Sequence, residues 1–598
     1  MAFPPGILYI LKLLPGFLQP PLATWALAWL LQRYMAIHIS PSFLAVLCVL
    51  SVPLVFTAKA AAQGAVLPPV VASSAGGITL VRRVLKSATE DFPGELQALF
   101  NKEYGRTLHF RILFEDKIIL STQFDNFEKG EDIQGILRPI AGLGILAAEG
   151  ESRELWKFHR TLLRPFFKRE RSNDFGIMDR HALVAVEQLE ARLAEGHPVD
   201  FQVDLVWRFL MDSSAEFLFG YEANTLTVGL PFPSNSSSSS SVSPQKTTSP
   251  FVQFAQAQAL AQRIVFLRGV VGNVWPLLGK FWVDTVRAPA RFVQEFLDPI
   301  LATAAAKRGK QLDRVDANGS EREVQEGETL VDHLLNTIDG VCIFLVLLGK
   351  DSDDEVPAAD KALLRDSILN VSVAARDPTS SLLTFALYML IQHPDVMVKL
   401  RQEIEEVVGP TRAPAADDFK RMSFLRAVLN ETLRLYPPAP FNVRTTINPI
   451  TLPAPTPGDK PFYIPAKSWV TWSTMFMHRS TDLWGPDALE WDPERFIDER
   501  LHKYLTPNPF IFLPFNAGPR GCLGQEFAYH QASFCLAQEA LKPLPASWTD
   551  KQKDELGWKS REKVVVRNHL TLYVEGGLWI RMREGGDPSV HLPNRESA

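Results

Sequence analysis

Cysteine is scarce in this chain: Cys48, Cys342, Cys522 and Cys535 are the only four among 598 residues. They are too few and too scattered for a disulfide framework, and none has a near neighbour with the spacing of a zinc site. This scarcity fits a catalytic domain that faces a reducing compartment. A chemical role for cysteine would therefore rest on a single thiol.

Strong net charge and nucleotide-binding motifs are also missing. A formal net charge of −5 gives no signal for nucleic acid. The chain has no Walker phosphate loop, no HExxH and no GxSxG, and Gly142, Gly144 and Gly150 fail the dinucleotide-binding spacing. We therefore expect no nucleic-acid partner, while 46% of apolar residues is ample for a large core.

Two apolar stretches open the chain, at residues 13–31 and 40–58. Prolines interrupt the first, whereas the second is uncharged up to its end and long enough to cross about 30 Å of hydrocarbon. A cleaved signal peptide is disfavoured, because Lys12 is the only charge ahead of two successive apolar stretches. Residues 1–62 are therefore predicted to anchor the protein in a membrane, through one or both stretches.

The remainder, residues 63–598, is predicted to form a catalytic domain on the cytosolic side of the endoplasmic reticulum membrane. Basic residues just past the second stretch indicate this side: Lys59, Arg82, Arg83 and Lys86. A serine-rich run near residues 234–250 is predicted to be a disordered loop. The apolar segment 341–349 is either a surface insert or an error in the assigned gene structure.

Residues 515–524, Phe-Asn-Ala-Gly-Pro-Arg-Gly-Cys-Leu-Gly, carry the strongest chemical signal. Gly518 and Gly521 permit a tight turn that approaches a flat ligand closely. Cys522 precedes a predicted apolar helix over residues 523–539, whose free N–H groups and dipole favour a thiolate. The residues alone leave two interpretations, an axial thiolate for haem iron or a buried cysteine in a glycine-rich turn.

The pattern Phe515-x-x-Gly518-x-Arg520-x-Cys522-x-Gly524 resembles the haem-binding signature of the cytochrome P450 family. The resemblance implies a mainly helical domain with a small β-rich lobe that binds haem b, with Cys522 as the iron ligand. It also implies a monooxygenase that takes electrons from NADPH-cytochrome P450 reductase, with cytochrome b5 as a further candidate donor. Such an enzyme inserts one atom of O2 into a C–H bond of an apolar substrate.

Residues expected to seat the haem follow from the same resemblance. Trp156 and Arg160 are four residues apart, so they share one face of a helix. Alone they indicate a solvated basic helix, but the pair resembles the family's Trp-x-x-x-Arg, which holds a haem propionate. Arg444 is a weaker candidate for a second propionate. Neighbouring basic residues suit an acidic reductase: Lys157, Arg164, Lys168, Arg169 and Arg171.

Glu431 and Arg434 lie three residues apart on a helix predicted over residues 422–436. By spacing alone they form an ordinary ion pair. They resemble, however, the family's buried Glu-x-x-Arg, which an arginine from a Pro-Glu-Arg-Phe segment closes. Arg495 occupies that position here, and the resemblance implies that it helps to shape the cysteine loop.

A long helix predicted over residues 360–392 has Ala-Ala-Arg-Asp-Pro-Thr-Ser at its centre. This segment resembles the family's oxygen-activating segment and implies that Asp377 and Thr379 relay protons. Pro378 departs from the pattern by replacing the usual threonine; it removes the hydrogen bond to the Ala374 carbonyl and is expected to kink the helix. The alternative is a mere kink in a core helix.

The central helix and the Trp156 stretch look most like fungal members that hydroxylate long alkyl chains. This implies a long-chain alkane or fatty acid, or an aromatic hydrocarbon, as the substrate. Two alternatives remain: a haem-thiolate isomerase or dehydratase that acts on an oxygenated lipid without reductase, and a non-enzymatic membrane haem protein.

Three smaller elements are predicted near the substrate. Residues 107–122 form a β-hairpin, and the glycine-rich loop 135–150 supplies an apolar wall. Residues 569–574 and 578–582 form a terminal hairpin that turns at Gly576-Gly577 and touches the substrate.

Overall fold

The computed structural model describes residues 5–35, 39–71, 78–104, 107–112, 115–120, 127–148, 153–167, 176–227, 229–230, 250–277, 283–309, 328–337, 358–409, 412–453, 458–540 and 563–580. Most of the serine-rich run, the segment 341–349 and the basic residues Lys168, Arg169 and Arg171 lie outside these ranges.

Helices dominate the fold, as predicted. Their bounds are α1 Pro5–Met35, α2 Pro41–Ala62, α3 Ile78–Glu90, α4 Glu95–Tyr104, α5 Gly130–Ala141, α6 Arg153–Leu163, α7 Gly176–Ala194, α8 Trp207–Phe219, α9 Pro250–Val271, α10 Arg287–Gly309, α11 Leu330–Thr337, α12 Ala358–Gln392, α13 Pro394–Val407, α14 Ala416–Arg421, α15 Ser423–Leu435, α16 Thr474–His478, α17 Thr481–Trp484 and α18 Gln525–Ala540.

The strands form small sheets beside the helices. Their bounds are β1 Thr107–Ile112, β2 Glu115–Leu120, β3 Phe127–Glu128, β4 Val199–Asp200, β5 Phe441–Thr446, β6 Ile450–Leu452, β7 Phe462–Ile464, β8 Trp469–Ser473, β9 Val566–Asn568, β10 Leu572–Val574 and β11 Trp579–Ile580. The largest sheet has the order β1-β2-β8-β5-β3. Strands β1 and β2 pair antiparallel, which confirms the hairpin predicted over residues 107–122.

The predicted terminal hairpin is wrong. Strand β10 pairs antiparallel with β9, and β11 pairs with β4, which lies nearly 400 residues earlier. The cause is Asp200, whose carboxylate accepts a hydrogen bond from the Leu578 backbone N–H at 3.1 Å. Gly577 has φ +84°, and a Cβ there would lie 2.0 Å from the same carboxylate. The two glycines therefore turn the chain toward β4 instead of back along β10.

The central helix α12 confirms the prediction for residues 360–392 and passes through the main core. Its C-terminal half is buried on every side, as at Phe385, Ala386 and Leu390, which explains its lack of a polar stripe. Pro378 is accommodated without ending the helix. The helix packs on α8, α15 and α18, so it joins the segments that carry the sequence motifs.

The N-terminal stretches form the helices α1 and α2, which pack against each other. By length and hydropathy, no single helix in the described ranges is long and apolar enough to cross a membrane. One pair, Arg365–Gln392 with Pro394–Val407, meets the criterion jointly but is bent by 113°.

Candidate active site

The cysteine loop, residues 513–524, is closed by its own backbone. The Cys522 N–H donates to the Phe515 carbonyl at 2.9 Å, and the Gly521 N–H donates to the Gly518 carbonyl at 2.9 Å. Gly518 has φ +69° and Asn516 has φ +59°, a left-handed conformation in which glycine and asparagine are the favoured residues. The loop therefore presents Cys522 from a fixed turn that ends just before α18.

Cys522 is accessible to solvent and yet strongly desolvated. Burial among protein atoms raises the pKa of its thiol, against the hydrogen bond from the Gly524 N–H and the positive charge of Arg160, which lower it. A side chain that is both accessible and desolvated lines a concave surface. The Gly524 N–H thus acts in the direction expected for the start of a helix, but burial outweighs it, so a thiolate at this position needs a bound metal cation.

Trp156, Arg160 and Arg520 lie together against the cysteine loop. Arg160 Nη1 donates to the Gly521 carbonyl at 3.0 Å, and the Arg520 guanidinium lies 3.8 Å from the centre of the Trp156 ring. Arg520 also donates to the Ala148 carbonyl at 3.4 Å. The structure thus brings three of the predicted haem-seating residues together around Cys522.

Arg444 reaches the same loop through two asparagines. Its guanidinium donates to Asn442 Oδ1 at 3.2 Å, and Asn442 Nδ2 donates to Asn516 Oδ1 at 2.7 Å. Arg444 is buried and also lies over the Trp472 ring. Strand β5, which carries Asn442 and Arg444, is therefore tied to the cysteine loop.

The predicted buried cluster of Glu431, Arg434 and Arg495 is confirmed. Arg434 makes two hydrogen bonds of 2.7 Å to the Glu431 carboxylate, and Arg495 Nε lies 3.5 Å from Glu431 Oε1. All three side chains are almost fully buried. Arg434 also donates to the carbonyls of His478, Ala488 and Glu490.

Sequence reasoning missed His478, which links this cluster to the cysteine loop. Its Nδ1 lies 3.1 Å from the Arg434 carbonyl oxygen, and its Nε2 accepts the Leu513 N–H at 2.9 Å. Burial lowers the pKa of His478 to about 3, so the ring is neutral and holds its proton on Nδ1. A lone histidine before an arginine carries no distinctive local pattern, so only the fold reveals this role.

On the central helix, Asp377 and Thr379 point to different partners. Asp377 forms an ion pair with Arg376 at 2.6 Å and accepts a hydrogen bond from Gln262 Nε2 at 2.7 Å. Thr379 is buried, and its hydroxyl donates to the Ala375 carbonyl at 3.2 Å. The two predicted relay residues are therefore not in contact. Ala374 is exposed in the middle of this core helix, which indicates an open face there.

The predicted glycine-rich loop 135–150 is wrong in its first part, because residues up to Ala141 belong to helix α5. The loop described by the structure, residues 142–148, is held against the central helix. The Leu143 N–H donates to Asp366 Oδ2 at 2.8 Å, and the Leu146 N–H donates to Asn370 Oδ1 at 2.9 Å. Gly142 has φ +54°, and a Cβ there would lie 2.0 Å from the Asp366 carboxylate. The loop's glycines therefore serve close approach to α12, and its Ala148 carbonyl receives Arg520.

An apolar cavity of about 380 Å³ borders strand β5. Residues from α3, α4, α5, α9, β5 and β8 line it, including Phe100, Ile133, Phe266, Phe441 and Trp469. Asn442 and Arg444 also line it, so one strand borders the cavity and is bonded to the cysteine loop.

A haem fits these residues on the chemistry of the donor set. A desolvated thiol, Cys522, lies on a concave surface with the Arg160 guanidinium beside it, and the Arg520 guanidinium lies over the adjoining Trp156 ring. Arg160 donates one of its five N–H groups to the Gly521 carbonyl. The planar guanidinium group of an arginine can also donate two parallel hydrogen bonds to a carboxylate such as a propionate. Cys522 would bind the iron, and the arginines would hold the propionates.

Comparison with known proteins identifies the family. The chain matches the family Cytochrome P450 over residues 78–539. It is 32% identical to cytochrome P450 monooxygenase himC of Aspergillus japonicus over 445 residues, 73% of this chain and 69% of that relative. It is 32% identical to cytochrome P450 52A3-A of Candida maltosa over 434 residues, 71% of this chain and 73% of the relative. Cytochrome P450 52-E3 of Starmerella bombicola is 29% identical over 84% of this chain and 89% of its own length.

The family match confirms the resemblance carried by the cysteine motif. It implies a cysteine-ligated haem iron, a reductase as redox partner and a small-molecule substrate. An isomerase and a non-enzymatic haem protein are not favoured by relatives of this kind. The chain belongs to the cytochrome P450 family and is a monooxygenase.

Proposed function

We propose that the protein hydroxylates a C–H bond of a long apolar molecule, a long-chain alkane or fatty acid, with an aromatic hydrocarbon as a further candidate. The observation that carries this proposal is the apolar cavity bordered by β5, the strand that Asn442 bonds to the cysteine loop. An apolar substrate that binds between such walls gains about 25 cal/mol of binding free energy for each Å² of apolar surface that it removes from water.

The residues have distinct roles in this proposal. The haem, when bound, activates O2 with electrons supplied by NADPH-cytochrome P450 reductase. Cys522 would ligate the iron, while Trp156, Arg160, Arg520 and Arg444 would hold the propionates. Phe515, Gly518 and Gly524 fix the loop: Phe515 closes it through its carbonyl, Gly518 supplies the left-handed turn, and Gly524 donates its N–H to the thiol.

Asp377 is the principal proton relay in this proposal. Burial opposes its ionisation, but the Arg376 charge and the hydrogen bonds from Arg376 and Gln262 together hold its pKa below the ordinary value. Asp377 is therefore ionised, and an ionised carboxylate can accept a proton and pass it on. Thr379 would take part in the proton relay only if its hydroxyl gave up the hydrogen bond to the Ala375 carbonyl, so we assign it the secondary role in the relay.

The test of this function is product analysis of the reconstituted enzyme with reductase and NADPH. We expect hydroxylated products from a panel of alkanes, fatty acids and aromatic hydrocarbons. Asp377→Asn should form the same products about 10²–10⁴-fold more slowly, because a positioned proton relay typically contributes that factor. Turnover of a lipid hydroperoxide without NADPH, with no product from the panel, would contradict the proposal.

We also propose that residues 1–62 anchor the catalytic domain, residues 63–598, to the endoplasmic reticulum on its cytosolic side, where cytochrome b5 can donate electrons. Helix α1 supports this with a contiguous set of large apolar side chains that are about half exposed: Leu22, Trp25, Leu27, Trp29 and Leu30. The full chain should resist carbonate extraction from microsomes, and added protease should digest the catalytic domain. Release by carbonate, or a fully protected domain, would contradict this arrangement.

A further inference from the structure

Two side-chain amides in the wall of the apolar cavity carry polar atoms that no other side chain or backbone group satisfies. Gln97 on α4 is 8% exposed, and its Nε2 donor has no acceptor among the residues that the structure describes. The Oδ1 acceptor of Asn568, the last residue of β9, is buried and has no donor within the described ranges. A buried polar atom that lacks a hydrogen bond is costly, so a native fold that keeps two of them beside a cavity requires a reason.

The elements that carry these amides are bonded to each other beside the cavity. Arg567 precedes Asn568 on β9. Its guanidinium donates to the carbonyls of Glu90 and Asp91 at 3.0 and 3.3 Å. Glu90 ends α3, and Asp91 begins the short turn into α4, whose third residue is Gln97. The Gln97 donor and the Asn568 acceptor therefore come from adjoining walls of one cavity.

A hydroxyl group matches this pair of atoms. A hydroxyl oxygen can accept a hydrogen bond from an amide N–H and donate its own proton to an amide oxygen at the same time. A carboxylate only accepts, so it would leave the Asn568 oxygen without a donor, and an alkane would satisfy neither atom. The two amides therefore favour a ligand that carries a hydroxyl.

The charged residues of the cavity wall favour a neutral group as well. Asp91 is the acidic residue that lines the cavity, and its negative charge disfavours a second carboxylate there. Lys129 and Arg444 also line the cavity, but each donates to a backbone carbonyl, that of Leu146 and that of Val443. These cations thus serve acceptors of the protein, whereas the two amides keep a donor and an acceptor for a ligand.

We propose that Gln97 and Asn568 bind a hydroxyl group of the substrate, and that a long-chain alcohol is bound in preference to the bare alkane or the unsubstituted fatty acid. Gln97 Nε2 donates to the hydroxyl oxygen, and the hydroxyl donates to Asn568 Oδ1. The apolar chain occupies the rest of the cavity, whose volume of about 380 Å³ lies within the usual range of small-molecule sites. The inference rests on the proposed function, in which this cavity holds the substrate.

The test measures the binding of three ligands of equal chain length, dodecanol, dodecanoate and dodecane, to the full-length holoenzyme. Each ligand is titrated, and its dissociation constant is read from the change in the haem absorption spectrum. Gln97→Met removes the amide at nearly constant side-chain length, and Asn568→Leu removes the acceptor. Each ligand is compared with itself in wild type and variant, so that the different solubilities of the three ligands cancel.

In each variant dodecanol should bind about 10-fold more weakly than in wild type, because one hydrogen bond to its hydroxyl is lost. Dodecane should bind as it does to wild type. Dodecanoate should lose no affinity in Asn568→Leu, because a carboxylate has no proton to donate.

Gln531→Met is the matched control. Gln531 on α18 is 1% exposed, and its Oε1 likewise has no hydrogen-bond partner among the described residues, but it lies outside the cavity. Removing this amide should leave the affinity for all three ligands unchanged. The control thus separates the loss of any buried amide from the loss of one that binds the ligand.

Two results would overturn the inference: an unchanged affinity for dodecanol in Gln97→Met or in Asn568→Leu, and equal losses for dodecanol and dodecane. A failure of the proposed function looks different, since wild-type enzyme reconstituted with reductase would then form no product from any of the three ligands. An unchanged affinity for dodecanol, together with hydroxylated products from dodecane or dodecanoate, would remove only the hydroxyl site and leave the proposed function intact.

Discussion

Cys522→Ala is expected to abolish both the thiolate-type absorption band of the reduced, carbonyl-bound protein and all turnover. The loop fixes this one sulphur through the bond between the Cys522 N–H and the Phe515 carbonyl. Cys535 is buried within α18 and cannot replace it. Absorption spectra and product analysis of the purified variant measure both effects.

Cys535→Ala is the control for this variant. Removing a buried thiol should cost some stability, as small core truncations do, but leave the band and the products unchanged. Retention of the thiolate-type band in Cys522→Ala, or its loss in Cys535→Ala, would contradict the ligand assignment.

The second large effect is expected from Glu431→Ala. This change leaves the Arg434 guanidinium buried without its carboxylate, whereas Arg495 keeps its ion pair with Asp487 at 2.9 Å. Breaking a buried pair typically costs about 3–5 kcal/mol. Because Arg434 and His478 hold the chain that leads into the cysteine loop, we expect protein that lacks haem. Denaturant unfolding and the haem-to-protein ratio measure the two consequences.

Glu494→Ala provides the comparison, since Glu494 is the neighbour of Arg495 but pairs with Lys399 at the surface. An exposed pair contributes about 0–1 kcal/mol, so this variant should unfold close to wild type and keep its haem. Equal behaviour of the two variants would mean that the buried cluster does not support the loop.

What the sequence could predict is what local spacing encodes. The turn at Gly518, the shared helical face of Trp156 and Arg160, and the pair Glu431–Arg434 each lie within a few residues, and the structure confirms all three. The long helix through Asp377 followed from its length and apolar composition.

What the sequence could not predict depends on pairing between distant segments. Gln262 meets Asp377 across 115 residues, and Leu513 meets His478 across 35. Strand β11 pairs with β4 because the Asp200 carboxylate accepts a hydrogen bond from the Leu578 N–H. No pattern in the sequence near Leu578 indicates that Asp200 is its partner. The burial that raises the pKa of the Cys522 thiol is also a property of the whole fold, so the local sequence could not reveal it.

The most direct test of the central claim is an oxygen-labelling measurement. Reconstituted wild-type enzyme, reductase, NADPH and a long-chain fatty acid are incubated under heavy-isotope dioxygen, and the product is examined by mass spectrometry. We predict a hydroxylated product with one labelled oxygen atom, absent with Cys522→Ala. Product oxygen drawn from water, or labelled product from Cys522→Ala, would contradict a haem-thiolate monooxygenase centred on Cys522.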